Sequence, residues 1–115
     1  MATRIGRRLR QRVAIMKQEN VLGHMNDGVE HGFCICNDRG KLIAGRETSG
    51  DHYNVSVDMN CPAGKPIGIF HTHPGGVPEP SSTDIKSARQ HGVEHLCIGV
   101  PEKGVIKCHR VSRKA

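Results

Sequence analysis

The sequence has no tryptophan, and its only aromatic side chains are Phe33, Tyr53 and Phe70, so its core must be mainly aliphatic. It has no apolar run close to the ~20 residues a membrane span requires, and no membrane association is expected. The Arg-rich start lacks an uninterrupted hydrophobic region, which argues against a secretory signal. No acidic residue precedes Glu19, while Arg4, Arg7, Arg8, Arg10, Arg12 and Lys17 crowd the same stretch. The five cysteines, Cys34, Cys36, Cys61, Cys97 and Cys108, include no CxxC pair. An odd number without paired spacing reads as mostly buried thiols in a reducing, cytoplasmic setting. A Cys61–Cys97 disulfide is open only if their strands are neighbours. Cys34 and Cys36 share one strand face and read as core filling rather than soft ligands.

What remains is a chain of 115 residues, enough for one domain (1–115) around a single core. The formal charge of +6 and pI near 9.4 would fit nucleic acid or an acidic protein partner at the basic first helix. No aromatic is interleaved among those arginines for base stacking, so a solvated helix face is the plainer reading. Ile5, Leu9, Val13 and Met16 recur at helical spacing. Asn20 to Gly28 is loop-like. Strands are expected at Glu30–Asn37, Lys41–Glu47 after an Asp38-Arg39-Gly40 turn, Tyr53–Val57, Pro66–Phe70, His95–Val100 and Val105–Val111. Ser81 to Gln90 reads as a helix closed at Gly92. The order implies an α/β or α+β fold, a largely antiparallel sheet with helices packed on it.

The chemistry concentrates between His71 and Asp84. His71 and His73 lie two apart at the end of the Pro66–Phe70 strand, so both imidazoles leave one face. A Gly/Pro-rich loop follows, and Asp84 arrives just inside the next helix. Ser81-Ser82-Thr83-Asp84 is also a capping box, which explains Ser81 and Asp84 without a metal. The two readings are compatible, because the cap fixes where Asp84 points. Two imidazole nitrogens and one carboxylate suit zinc and leave a fourth position for water, the pattern of a catalytic site. The other histidines, His24, His31, His52, His91, His95 and His109, show no repeated ligand spacing and read as surface or hydrogen-bonded side chains.

His71-x-His73-Pro74, the seven residues Pro74 to Pro80, then Ser81-x-x-Asp84 resembles the signature of the JAMM (MPN-plus) zinc metallopeptidases, here in a minimal prokaryotic or archaeal form. That family is known for isopeptidase activity on ubiquitin and ubiquitin-like modifiers. Its fold is cytidine-deaminase-like, a curved mixed sheet flanked by helices. The resemblance implies one Zn²⁺ per chain on His71, His73 and Asp84. It also implies an upstream glutamate as general base: Glu30 is the candidate, with Gly32 two residues past it where the family's glycine is usually three past. Glu47, at the end of the second strand, is the rival. Ser81, one turn before Asp84, is placed to donate to an oxyanion. The implied substrate is the bond after the tail of a ubiquitin-like modifier. The alternatives are a hydrolase of sulfur-carrier-protein adducts, or a basic nucleic-acid- or protein-binding module with a non-catalytic fold of this type. A nucleobase deaminase is disfavoured, since its H-x-E and P-C-x-x-C pattern is missing.

Overall fold

Two faces of one sheet carry different side chains, and that division organises the molecule. The structure, a computed structural model, describes residues 4–112. Helix α1 (Arg4–Gln18) and a 3-10 turn (Val21–Met25) precede β1 (His31–Asp38), β2 (Lys41–Ala44), β3 (Thr48–Ser49) and β4 (Lys65–Thr72). Helix α2 (Ser82–Gln90), β5 (His95–Val100), a 3-10 turn (Pro101–Lys103) and β6 (Val105–Arg110) complete the chain. The sheet runs β2-β1-β4-β5-β6, with β3 also on β1. Every pairing is antiparallel except β4 with β5, which are parallel and joined through α2. Parallel neighbours need such a crossover. The result is a curled mixed sheet between two helices.

The period of 2 along each strand sorts the core. Phe33 and Ile35 of β1, Phe70 of β4 and Cys97 of β5 pack with Leu9 and Met16 of α1. Ile69, Leu96 and Ile98 face the other way, onto Ala88 of α2 and the half-buried Val57 and Met59. The scarcity of aromatics leaves one stacked pair, Phe33 on Phe70 with centroids 4.7 Å apart. The arginines Arg7, Arg8, Arg10 and Arg12 are exposed along α1, opposite its apolar stripe. Among the described residues, no helix is long and apolar enough to cross a membrane.

The structure departs from the sequence reading in three places. Tyr53–Val57 forms no strand, although Val55 and Val57 are half-buried and Tyr53, Asn54 and Ser56 exposed. Their alternation reports burial against one face. A ladder is denied them because β1 is flanked by β4 on one side and by β2 and β3 on the other, while β4 lies between β1 and β5. Asp51 instead turns the chain, its Oδ1 accepting from the backbone N–H of Tyr53 and Asn54 at 2.8 Å each. The second strand stops at Ala44 rather than Glu47, and Thr48–Ser49 pairs separately with Gly32 and His31.

The cysteines are the third correction. Disulfides join Cys36 to Cys61 and Cys97 to Cys108, leaving Cys34 as a buried thiol. Cys97 and Cys108 are direct partners in the β5–β6 register. Cys61 cannot reach Cys97, because Cys97 packs on the α1 face while Cys61 lies with Cys34 and Cys36 on the opposite one.

Candidate metal centre

β4 is the central strand, and the first two candidate ligands lie on it and just past its end. His71 is paired in the sheet with Gly32 of β1 and Ile98 of β5. His73 lies just past the strand end, held by its N–H to the Gly99 carbonyl at 2.9 Å, which keeps the chain extended. The two imidazoles therefore share a face, with ring centroids 4.8 Å apart. The chain then turns and enters α2. Ser81 is the N-cap: its Oγ accepts from the Asp84 N–H at 3.1 Å, and Asp84 Oδ2 accepts from the Ser81 N–H at 2.8 Å. This reciprocal box fixes the Asp84 carboxylate, whose Oδ1 lies 3.3 Å from His71 Nε2 and whose Oδ2 lies 3.1 Å from His73 Nε2.

The outer nitrogens are also engaged. His73 Nδ1 lies 3.1 Å from the Val77 carbonyl, and His71 Nδ1 lies 3.3 Å from Glu30 Oε1. With Nδ1 engaged outward in both rings, both Nε2 atoms are aimed at Asp84. That is how metal-ligating histidines are oriented by their surroundings. Two ligands at Zn distances of 2.0–2.1 Å and a tetrahedral angle are about 3.3 Å apart. Each Nε2 stands at about that distance from a different Asp84 oxygen, His71 3.3 Å from Oδ1 and His73 3.1 Å from Oδ2, and one ligand atom from each of the three residues falls within 4.8 Å of the others. The donor set fits zinc.

Charge gives a second sign of a cation site. Burial works against a charged His71, but hydrogen bonds to Asp84 and Glu30, and the charges of both, outweigh it and push its pKa up to about 9. Burial likewise works against ionised Asp84, yet hydrogen bonds from His71 and His73 hold its carboxyl well below the usual carboxylate range. The buried carboxylates thus draw positive charge to this point, as a proton or as a metal ion.

Glu30 sits one residue before β1. Its N–H donates to the Asp51 carbonyl at 2.7 Å, and its side chain is almost fully buried. Glu47 lies elsewhere, accepting from His24 at 2.7 Å and from His31 at 3.1 Å. Glu30, His71, His73, Ser81 and Asp84 line one cleft of about 620 Å³, walled on one side by Tyr53 to Val57. That size lies within the range of ligand clefts. Sequence reasoning missed this wall and the Val77 carbonyl. The wall is a coil whose position depends on Asp51, and a backbone carbonyl has no residue signature.

A strand ending in two co-facial histidines, joined by a crossover helix that returns an aspartate to them, defines a JAB-type α/β domain. The chain belongs to the Prok-JAB family, the prokaryotic homologs of the JAB domain, whose model matches residues 6–112. The family includes metallopeptidases as well as non-catalytic members, and its JAMM-type members usually bind zinc. No curated protein matches the chain.

Proposed function

We propose that this chain is a zinc-dependent peptidase of the JAMM type. It hydrolyses the amide or isopeptide bond that follows the C-terminal tail of a ubiquitin-like or sulfur-carrier protein. The observation that carries this reading is the convergence of His71 Nε2 and His73 Nε2 on the two oxygens of Asp84, with Glu30 on the same cleft. His71, His73 and Asp84 would hold one Zn²⁺, which supplies a Lewis acid for the scissile carbonyl and acidifies a water.

The remaining steps belong to the chain. Glu30 takes the proton of the attacking water and passes it to the leaving amine, so that base and acid are one carboxyl group used twice. Ser81 Oγ accepts from the Asp84 N–H, which leaves its own hydroxyl hydrogen to donate to the oxyanion. An extended tail docks against the Tyr53–Val57 wall by backbone pairing, its small residues allowing close approach.

The test separates binding from turnover. Glu30→Gln keeps an oxygen that accepts from His71 Nδ1–H, so zinc stays bound by elemental analysis while cleavage of a ubiquitin-like fusion falls by about 10²–10⁴. Asp84→Ala loses zinc and activity together. Activity that survives complete zinc removal by a chelator would overturn the reading.

A further inference from the structure

Three sulfurs converge at a second place on the same sheet face. Cys34 and Cys36 are two residues apart on β1, and Cys61 comes from the loop before β4. Cys34 Sγ lies 3.8 Å from Cys61 Sγ and 3.8 Å from Cys36 Sγ. Cys34 and Cys36 are fully buried, and Gly45 packs across Cys34 so closely that an added Cβ would stand 3.3 Å from the Cys34 Cβ. Core filling accounts for one or two such side chains. The Cys36–Cys61 disulfide joins the two segments, and Cys34 sets a third sulfur against both of its partners.

Four thiolate-type ligands at a Zn–S distance of 2.3 Å lie about 3.8 Å apart along each tetrahedral edge. Two of the three sulfur–sulfur separations already have this value, and the third pair is the Cys36–Cys61 disulfide. We propose that, once this disulfide is reduced, Cys34, Cys36 and Cys61 form a thiolate site for a thiophilic cation, zinc, with a small fourth ligand. The steps balance. A dithiol reductant supplies two electrons and two protons to Cys36–Cys61 and is itself oxidised to a disulfide. Zinc then displaces the three thiol protons.

Burial, and after it the Asp58 carboxylate, push the Cys34 thiol up, so without a cation it stays protonated. Asp58 is itself tied to Arg46 at 3.0 Å, which moderates the negative charge three thiolates would add. In the oxidised chain a covalent bond anchors the loop ahead of β4 to β1, and in the reduced chain the metal anchors it at the same place. That loop is continuous with the Tyr53–Val57 wall, so the cleft keeps its shape in both redox states.

The experiment uses the full chain carrying His71→Ala and Asp84→Ala, which removes the first site. After reduction with a metal-free phosphine, this variant is expected to bind one Zn²⁺ per chain. X-ray absorption should show sulfur neighbours near ~2.3 Å. Adding Cys34→Ser should abolish this binding, whereas adding Cys97→Ala with Cys108→Ala should leave it intact. Sub-stoichiometric zinc, zinc with only nitrogen and oxygen neighbours, or binding that survives Cys34→Ser each overturns the proposal. If circular dichroism shows the double variant unfolded, zinc is counted on the wild-type chain instead. The count should rise by one on reduction, and an unchanged count overturns the proposal.

Discussion

Asp84 and Ser81 together cap α2, and the second role proposed for each can be separated from the cap by measurement. Ser81 caps α2 through Oγ, and its hydroxyl faces the cleft. Ser81→Ala removes both functions and should lower stability by about 1 kcal/mol. Ser81→Gly costs only a few tenths of a kcal/mol at an N-cap but removes the same donor. Both variants should therefore lose turnover by a similar factor, about 10²–10³ for a lost oxyanion donor. Urea midpoints would distinguish the variants while single-turnover rates would not. Rates that follow the stability order instead would reduce Ser81 to a cap. This site was legible in the sequence because His71, His73, Ser81 and Asp84 lie within fourteen residues, where strand alternation and a capping box fix their relations locally. The contact of Glu30 with His71 was not legible in the same way. It spans 41 positions and depends on the β1–β4 register, which sets Gly32 opposite His71.

That register makes β1 and β4 a single unit for the site. At Gly32 the β1 backbone runs close against the candidate ligand His71. A Cβ there would lie 2.8 Å from Val57 Cγ2, 3.0 Å from the Phe70 carbonyl and 3.3 Å from His71 Cβ. Val57 can yield, but the Phe70 carbonyl belongs to the central strand. Gly32→Ala should therefore cost about 1–3 kcal/mol, the usual range for overpacking, and should weaken zinc binding by displacing His71. Chemical denaturation and competition with a chelator would measure the two effects. Unchanged zinc affinity in a destabilised variant would show that β1 moves without carrying β4. The same element scale explains the misread Tyr53–Val57. Alternation in a sequence shows which side chains are half-buried, while strand assignment also needs an unpaired neighbour, and β1 and β4 are flanked on both sides. The disulfides were illegible for a related reason. Cys97 and Cys108 meet through strand register, and Cys61 is brought to β1 by a loop with no local signature.

For the molecule as a whole, pH dependence carries the mark of a buried histidine far from the cleft histidines in sequence. His95, at the start of β5, is buried. Its pKa is lowered below 6.5, first by burial and further by Arg110, with Glu94 opposing. A histidine depressed in the folded state contributes stability that is full above 6.5 and is lost as pH falls, because the unfolded chain takes up the proton first. The stability difference between wild type and His95→Asn should therefore shrink as pH drops from 7 to 5. Denaturant titrations at several pH values would show it, and a difference constant over that range would remove His95 from the acid limb. The division of the sheet into two faces was readable from the apolar periodicity of α1 and the strands. The parallel β4–β5 pair was not, since nothing in either strand's composition states its direction.

That parallel pair has a consequence for how the candidate ligands are assembled. Because β5 runs alongside β4, the chain between them must leave one end of the sheet and return to the other. Asp84 rides on the outgoing part of that excursion. Ten residues separate it from His73, and three of them, Pro74, Pro78 and Pro80, are prolines that restrict the chain before it folds. Closing so short and stiff a tether costs little entropy. The carboxylate is thus supplied to the imidazoles at a high effective concentration, and an arriving cation meets three donors already gathered rather than three to be recruited.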